Sequence, residues 1–63
     1  MIYDNVKTIA SQKNMSIAEL EKRAELSNGT IGKWRDSNPN VESLIKVAKA
    51  LNVSISTLTK GFA

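Results

Sequence analysis

The sequence contains no cysteine, so neither a disulfide framework nor a thiolate metal site can hold its fold together. It contains no histidine either, and its acidic residues are spread singly. No nucleophile and base stand together and no metal-ligating cluster forms, so an enzyme is not expected, nor a cofactor, a bound metal or a small-molecule substrate. No apolar run approaches the roughly 20 residues that a membrane span requires. Met1-Ile2-Tyr3-Asp4 also lacks the basic opening of a secretion signal, and a cytoplasmic place away from membranes is expected. Internal repeats, low-complexity stretches and dividing linkers are missing too. One domain over residues 1–63 is the expectation, its packed helices supplying what cross-links do not.

The composition does permit folding. A hydrophobic share of 41% with 24% charged residues lacks the apolar deficit of a disordered chain. A core this small should stabilise the fold by only about 3–5 kcal/mol. The net charge of +3 and the isoelectric point near 9.5 make a polyanion a reasonable partner, because each phosphate neutralised by Lys or Arg releases condensed counterions. The arrangement of the charges has to decide whether that partner is real.

Five helices and no strands are predicted. Tyr3, Val6, Ile9 and Ala10 recur at helical spacing and give a first helix running to about Lys13. Ser16-Ile17-Ala18-Glu19 is a capping box that starts a second, with Leu20 and Ala24 on its buried face and Glu19 and Arg23 paired on the solvent side. Leu26 falls off that rhythm, and Ser27 is a further N-cap candidate. A third short helix is predicted from Asn28 to about Arg35, with only Ile31 and Trp34 as apolar anchors. Its two glycines each cost about 1 kcal/mol relative to alanine in a helix, a cost that close approach to something flat would justify. Asp36 to Asn40 is a loop by composition. Val41, Leu44, Ile45, Ala48 and Leu51 then define the clearest amphipathic helix, expected to supply much of the core. Ser54 caps a last short turn bearing Ile55 and Leu58.

Two short helices joined by a tight turn, the second with a polar face of small side chains, match a helix-turn-helix unit over about residues 16–35. A helix with its side chains is about as wide as the major groove of B-DNA, so it can present side chains to base edges. Asn28, Thr30 and Lys33 are the candidates: asparagine for adenine, lysine for guanine, the threonine methyl for thymine. Ser16, Ser27, Arg35, Ser37 and Asn38 stand around them as candidate contacts to the DNA backbone. From Leu26 to Arg35 there is no acidic residue, so Lys33 and Arg35 make the segment locally positive.

Met15-Ser16-Ile17-Ala18-Glu19-Leu20, then Arg23-Ala24-Glu25-Leu26-Ser27, then Thr30-Ile31-Gly32-Lys33-Trp34, resemble the lambda-repressor/Cro-type (Xre) helix-turn-helix family. The run from Pro39 to Ser54 resembles that family's fourth helix and the start of its fifth, so the resemblance covers nearly the whole chain. It implies an all-α, compact five-helix lambda-repressor-like domain whose third helix enters the major groove, commonly as a homodimer on a palindromic double-stranded operator. By position it implies base contacts from Asn28, Gly29, Thr30 and Lys33, and backbone contacts from Ser27, Trp34, Arg35 and Asn38. Repression, of phage or prophage type, is the implied outcome. Three positions depart from the pattern: Ile17 stands where many members have a bracing glutamine, Glu21 where alanine is usual, and Glu25 where glycine is usual in the turn. A glutamate in the turn must adopt a less favourable backbone geometry or reshape it.

Each functional reading has a plainer one beside it. Trp34 is either a core aromatic or one whose indole N–H reaches a phosphate. Ser27 and Asn28 serve equally as helix caps, Arg35 as partner to a carboxylate, and Lys46, Lys49 and Lys60 as solvated surface. Ile55, Leu58 and Phe62 are either core or the apolar surface of a dimer. The competing function is a protein-interaction module on the same fold, such as an antitoxin-like or repressor-antagonist subunit. A chain that forms the N-terminal domain of a longer repressor fits the sequence as well.

Overall fold

The computed structural model describes residues 2–60, and every regular element among them is helical. Helices α1 (Ile2–Gln12), α2 (Ile17–Arg23), α3 (Val41–Leu51) and α4 (Ile55–Leu58) flank a 3₁₀ segment at Ile31–Arg35. The all-α class is as expected, with one correction. The third of the five predicted helices is a turn followed by 3₁₀ structure, so the described residues hold four α-helices.

The helix starts follow the sequence signals closely. The Ser16 hydroxyl accepts from the Glu19 N–H at 3.1 Å, Asn40 Oδ1 from the Ser43 N–H at 2.7 Å, and the Ser54 hydroxyl from the Thr57 N–H at 3.2 Å. Each satisfies a backbone donor that a helix start leaves without an internal partner.

The helix ends share a second device that the sequence reading did not identify. At α1, α2 and α3 a residue with positive φ follows the last turn: Asn14 (56°), Glu25 (59°) and Asn52 (58°). The next N–H then reaches back five residues, from Met15 to the Ala10 carbonyl at 2.9 Å, Leu26 to Glu21 at 2.8 Å, and Val53 to Ala48 at 3.0 Å. This is the Schellman arrangement, in which the residue after the left-handed one folds an apolar side chain back onto the helix. Met15, Leu26 and Val53 accordingly pack against the core. Leu26 is off the α2 rhythm because it belongs to this closing turn.

The core gathers Ile2, Val6 and Ala10 of α1, Leu20 and Ala24 at α2, Ile31 and Trp34 of the 3₁₀ segment, Leu44, Val47, Ala48 and Leu51 of α3, and Leu58 of α4. Two expectations for α3 are corrected. Val41 is 71% exposed and Ile45 39%, while Val47 is fully buried. The first turn of α3 stands clear of the core, and the stripe that faces inward is Leu44, Val47, Ala48 and Leu51. Leu58 is core rather than surface; Ile55 is exposed, and Phe62 lies outside the described residues. The Asn5 side-chain amide donates to the Leu58 and Lys60 carbonyls, each at 2.8 Å, and so fastens the end of α4 to α1. No helix among the described residues is long and apolar enough to cross a membrane.

Candidate nucleic-acid interface

Helix α2, the turn after it and the 3₁₀ segment occupy the stretch where the helix-turn-helix was expected. The difference in the second element has a local cause. Gly29 takes φ +92°, which no right-handed helix accommodates, so Asn28, Gly29 and Thr30 form a turn; Thr30 is the first residue after it with helical angles (φ −58°, ψ −49°), and the 3₁₀ segment follows from Ile31. The Lys33 N–H is shared between the Gly29 and Thr30 carbonyls, both at 3.3 Å. In 3₁₀ geometry residues three apart lie one above the other, so Ile31 and Trp34 share the inward edge. Both are buried, at 0% and 4% exposure, and Lys33 and Arg35 are left outside.

The expected base-facing residues lie along this strip. Asn28, Gly29 and Lys33 are exposed and Thr30 is half-buried. Among the expected backbone contacts, Ser16, Ser27, Arg35, Ser37 and Asn38 are exposed. Ser16 is engaged as the α2 cap, and the Ser37 hydroxyl donates to the Lys33 carbonyl at 3.3 Å, closing the 3₁₀ segment. Trp34 is buried, so its core role is the one its packing shows. Among the described residues Arg35 has no carboxylate partner of the kind considered for it. Its guanidinium lies over the Tyr3 ring, 5.2 Å from the centroid, a cation–π contact that ties the segment to the start of α1. The Ser16 end opens on a shallow cleft also lined by Lys7, Ser11 and Asn14. Lys7 was not singled out in the sequence, where a solvent-side lysine of α1 carries no signal linking it to α2.

Glu21 changes the electrostatics expected of this strip. It lies on α2, yet its carboxylate is buried at 4% exposure and turns under the turn of the candidate reading segment. Oε1 accepts from the Gly29 N–H at 3.2 Å and Oε2 from the Ile31 N–H at 2.8 Å. The absence of acids between Leu26 and Arg35 in the sequence therefore does not mean that no negative charge meets the segment. These bonds also supply the cap expected of Ser27, whose carbonyl instead accepts from the Thr30 N–H at 3.1 Å, and Thr30 makes no side-chain cap bond. The two glycines also differ in what they do. Gly29 is required by its backbone angle, whereas a Cβ at Gly32 would meet only the Arg35 side chain, at an ordinary 3.8 Å.

A short helix, a tight turn and a second element that buries one edge and offers a polar strip to solvent together define a helix-turn-helix unit. The comparisons agree with that class. The helix-turn-helix family model, of the Xre/lambda-repressor type, matches residues 6–58, and the chain belongs to this family. It is a DNA-binding regulator of transcription. Among solved structures it is similar to the N-terminal DNA-binding domain of SinR from Bacillus subtilis, with 28% identity and a TM-score of 0.87, covering 98% of this chain and 94% of that one. It is also similar to the P22 c2 repressor solved with synthetic operator 9T in the presence of Tl+, with 28% identity and a TM-score of 0.84, covering 97% and 96%. No curated protein matches the sequence.

Proposed function

We propose that the chain, acting as one domain over residues 1–63, binds a specific double-stranded operator and represses transcription in the manner of a phage or prophage regulator. The observation that carries this reading is the polar, exposed strip from Asn28 to Asn38, held on a core edge by Ile31 and Trp34. Asn28, Gly29, Thr30 and Lys33 read base edges in the major groove. Ser16, Ser27, Arg35, Ser37 and Asn38 hold the phosphates and set the register. Trp34 contributes by packing beneath the strip. The P22 c2 repressor is bound to an operator, and its likeness over 97% of this chain supports a DNA duplex as partner. Occupying an operator near a promoter excludes polymerase. The protein acts as a homodimer on DNA; of the apolar residues expected from the sequence at that contact, Ile55 is the described one that the fold leaves exposed.

The test is selection of bound duplexes from a random pool at about 150 mM salt, where non-specific phosphate binding is suppressed. A recovered palindrome is the expected result, lost with Lys33→Ala. Recovery of no motif would reject sequence-specific reading and favour the protein-interaction alternative.

A further inference from the structure

Glu21 is the one charged residue among the buried ones described. A carboxylate taken out of water is costly unless hydrogen bonds replace its hydration. Here they come from the two amides, Gly29 and Ile31, that bracket the point where the turn becomes 3₁₀ structure. The amide between them, Thr30, is taken by Ser27, so three consecutive N–H groups are paired.

The apolar anchors of the segment, Ile31 and Trp34, both lie within the 3₁₀ stretch. They fix where it sits, and Leu26 packs on the core two residues before the turn, but Asn28, Gly29 and Thr30 bring no apolar anchor of their own, and Gly29 adds backbone freedom. A planar carboxylate that grips one amide in the turn and one just past it removes that freedom. It ties the tilt of the turn to α2. Base readout demands such control, because recognition groups must be held to within about 0.5 Å of productive geometry.

We propose that Glu21 is a positioning residue for DNA recognition: its carboxylate sets how Asn28, Thr30 and Lys33 are presented to the bases, without touching DNA itself. This rests on the operator-binding function proposed above. It also has a consequence for phosphate contacts. The Gly29 and Ile31 N–H groups are already occupied by Glu21, so neither is free to hold a phosphate, and Gly29 contributes by letting the backbone come close to the bases.

Glu21→Gln keeps the shape but has one acceptor oxygen, and its amide N–H₂ must face one of the two backbone donors. Affinity of the wild type and the variant is measured for the selected duplex and for an unrelated duplex across a salt series, with amide NMR spectra of both proteins. The expected result is a tenfold or greater loss on the selected duplex, little change on the unrelated one and an unaltered salt slope. The Gly29 and Ile31 amide signals should move while those of α3 stay in place. A merely structural role would weaken both duplexes together and overturn the assignment. A wild type that selects no sequence rejects the operator function and this inference with it; a wild type that does select one, matched within twofold by Glu21→Gln, rejects the Glu21 role alone. If the variant does not fold, through-bond coupling between the Glu21 carboxyl carbon and the Gly29 and Ile31 amide nitrogens is measured in the wild-type complex. Its persistence on DNA is expected, and its loss on binding overturns the proposal.

Discussion

Helix α3 and the segment from Asn28 to Asn38 are both built on a few inward-facing apolar residues, yet they are held by different forces. Helix α3 buries Leu44, Val47, Ala48 and Leu51 along three turns and is capped at both ends by its own flanking residues. The polar segment buries two side chains and borrows its cap from a carboxylate eight and ten residues upstream. Apolar burial is non-directional and tolerates a shifted stripe, whereas hydrogen bonds to a fixed carboxylate define an orientation. In this fold α3 is held by burial along its length, and the element proposed to read DNA is thin but directionally constrained.

Four substitutions sharpen or break that contrast. Leu51→Ala, at a fully buried position of α3, should cost about 2–5 kcal/mol. In a domain of this size that is comparable with the whole stability of about 3–5 kcal/mol, so the variant should be largely unfolded by circular dichroism at room temperature. Lys33→Ala should do the opposite. Its side chain is exposed, so the melting curve should stay in place while affinity for the selected duplex falls by about 1–3 kcal/mol.

Glu25→Gly tests the turn between the two regions. Glu25 sits at φ +59°, a conformation that costs a side chain about 1–2 kcal/mol and glycine very little, while glycine gives back part of this through its looser unfolded state. A net gain of about 0.5–1 kcal/mol is expected, seen as a melting temperature several degrees higher. Val41→Ser should have the smallest effect. At 71% exposure on the first turn of α3, it should change stability by no more than about 0.5 kcal/mol despite its place in the apolar pattern.

The sequence showed these two regions unequally. Capping residues Ser16, Asn40 and Ser54 were legible because the chemistry of a cap is local. Spacing locates Val6 and Ala10 of α1 and Leu20 and Ala24 at α2 in the core, but Tyr3 and Ile9 are only half-buried, and the burial of Ile2 and Glu21 does not follow from it. Val41 departs from the pattern because periodicity does not show where the core ends along a helix, and Ile45 because Leu44, Ile45, Val47 and Ala48 are all apolar, so spacing alone does not choose between a stripe through Ile45 and one through Val47. The positive-φ closures at Asn14 and Asn52 had a readable residue type, but their bonding back to α1 and α3 was not anticipated. The family pattern, with glycine usual at this turn position, marks Glu25 for an unfavourable backbone geometry, and its φ of +59° agrees.

The candidate site was legible as a list of exposed polar residues and illegible as a geometry. Asn28, Gly29, Lys33 and their neighbours are exposed along one segment, but the turn that opens it depends on the angle at Gly29 and its 3₁₀ backbone has no sequence signal. Glu21 reads in sequence as one more helical acid. Only the fold brings its carboxylate to amides eight and ten residues away. The contact of Arg35 with Tyr3 is hidden for the same reason, since 32 residues separate the partners.

The most direct test of this division of labour is an amide NMR titration of the protein with its selected duplex. Perturbations concentrated at Ser16 and from Ser27 to Asn38, with the exposed face of α3 around Val41 and Ile45 unchanged, are the predicted result. Perturbations centred on that face of α3, with the Asn28–Arg35 strip unmoved, would contradict the account.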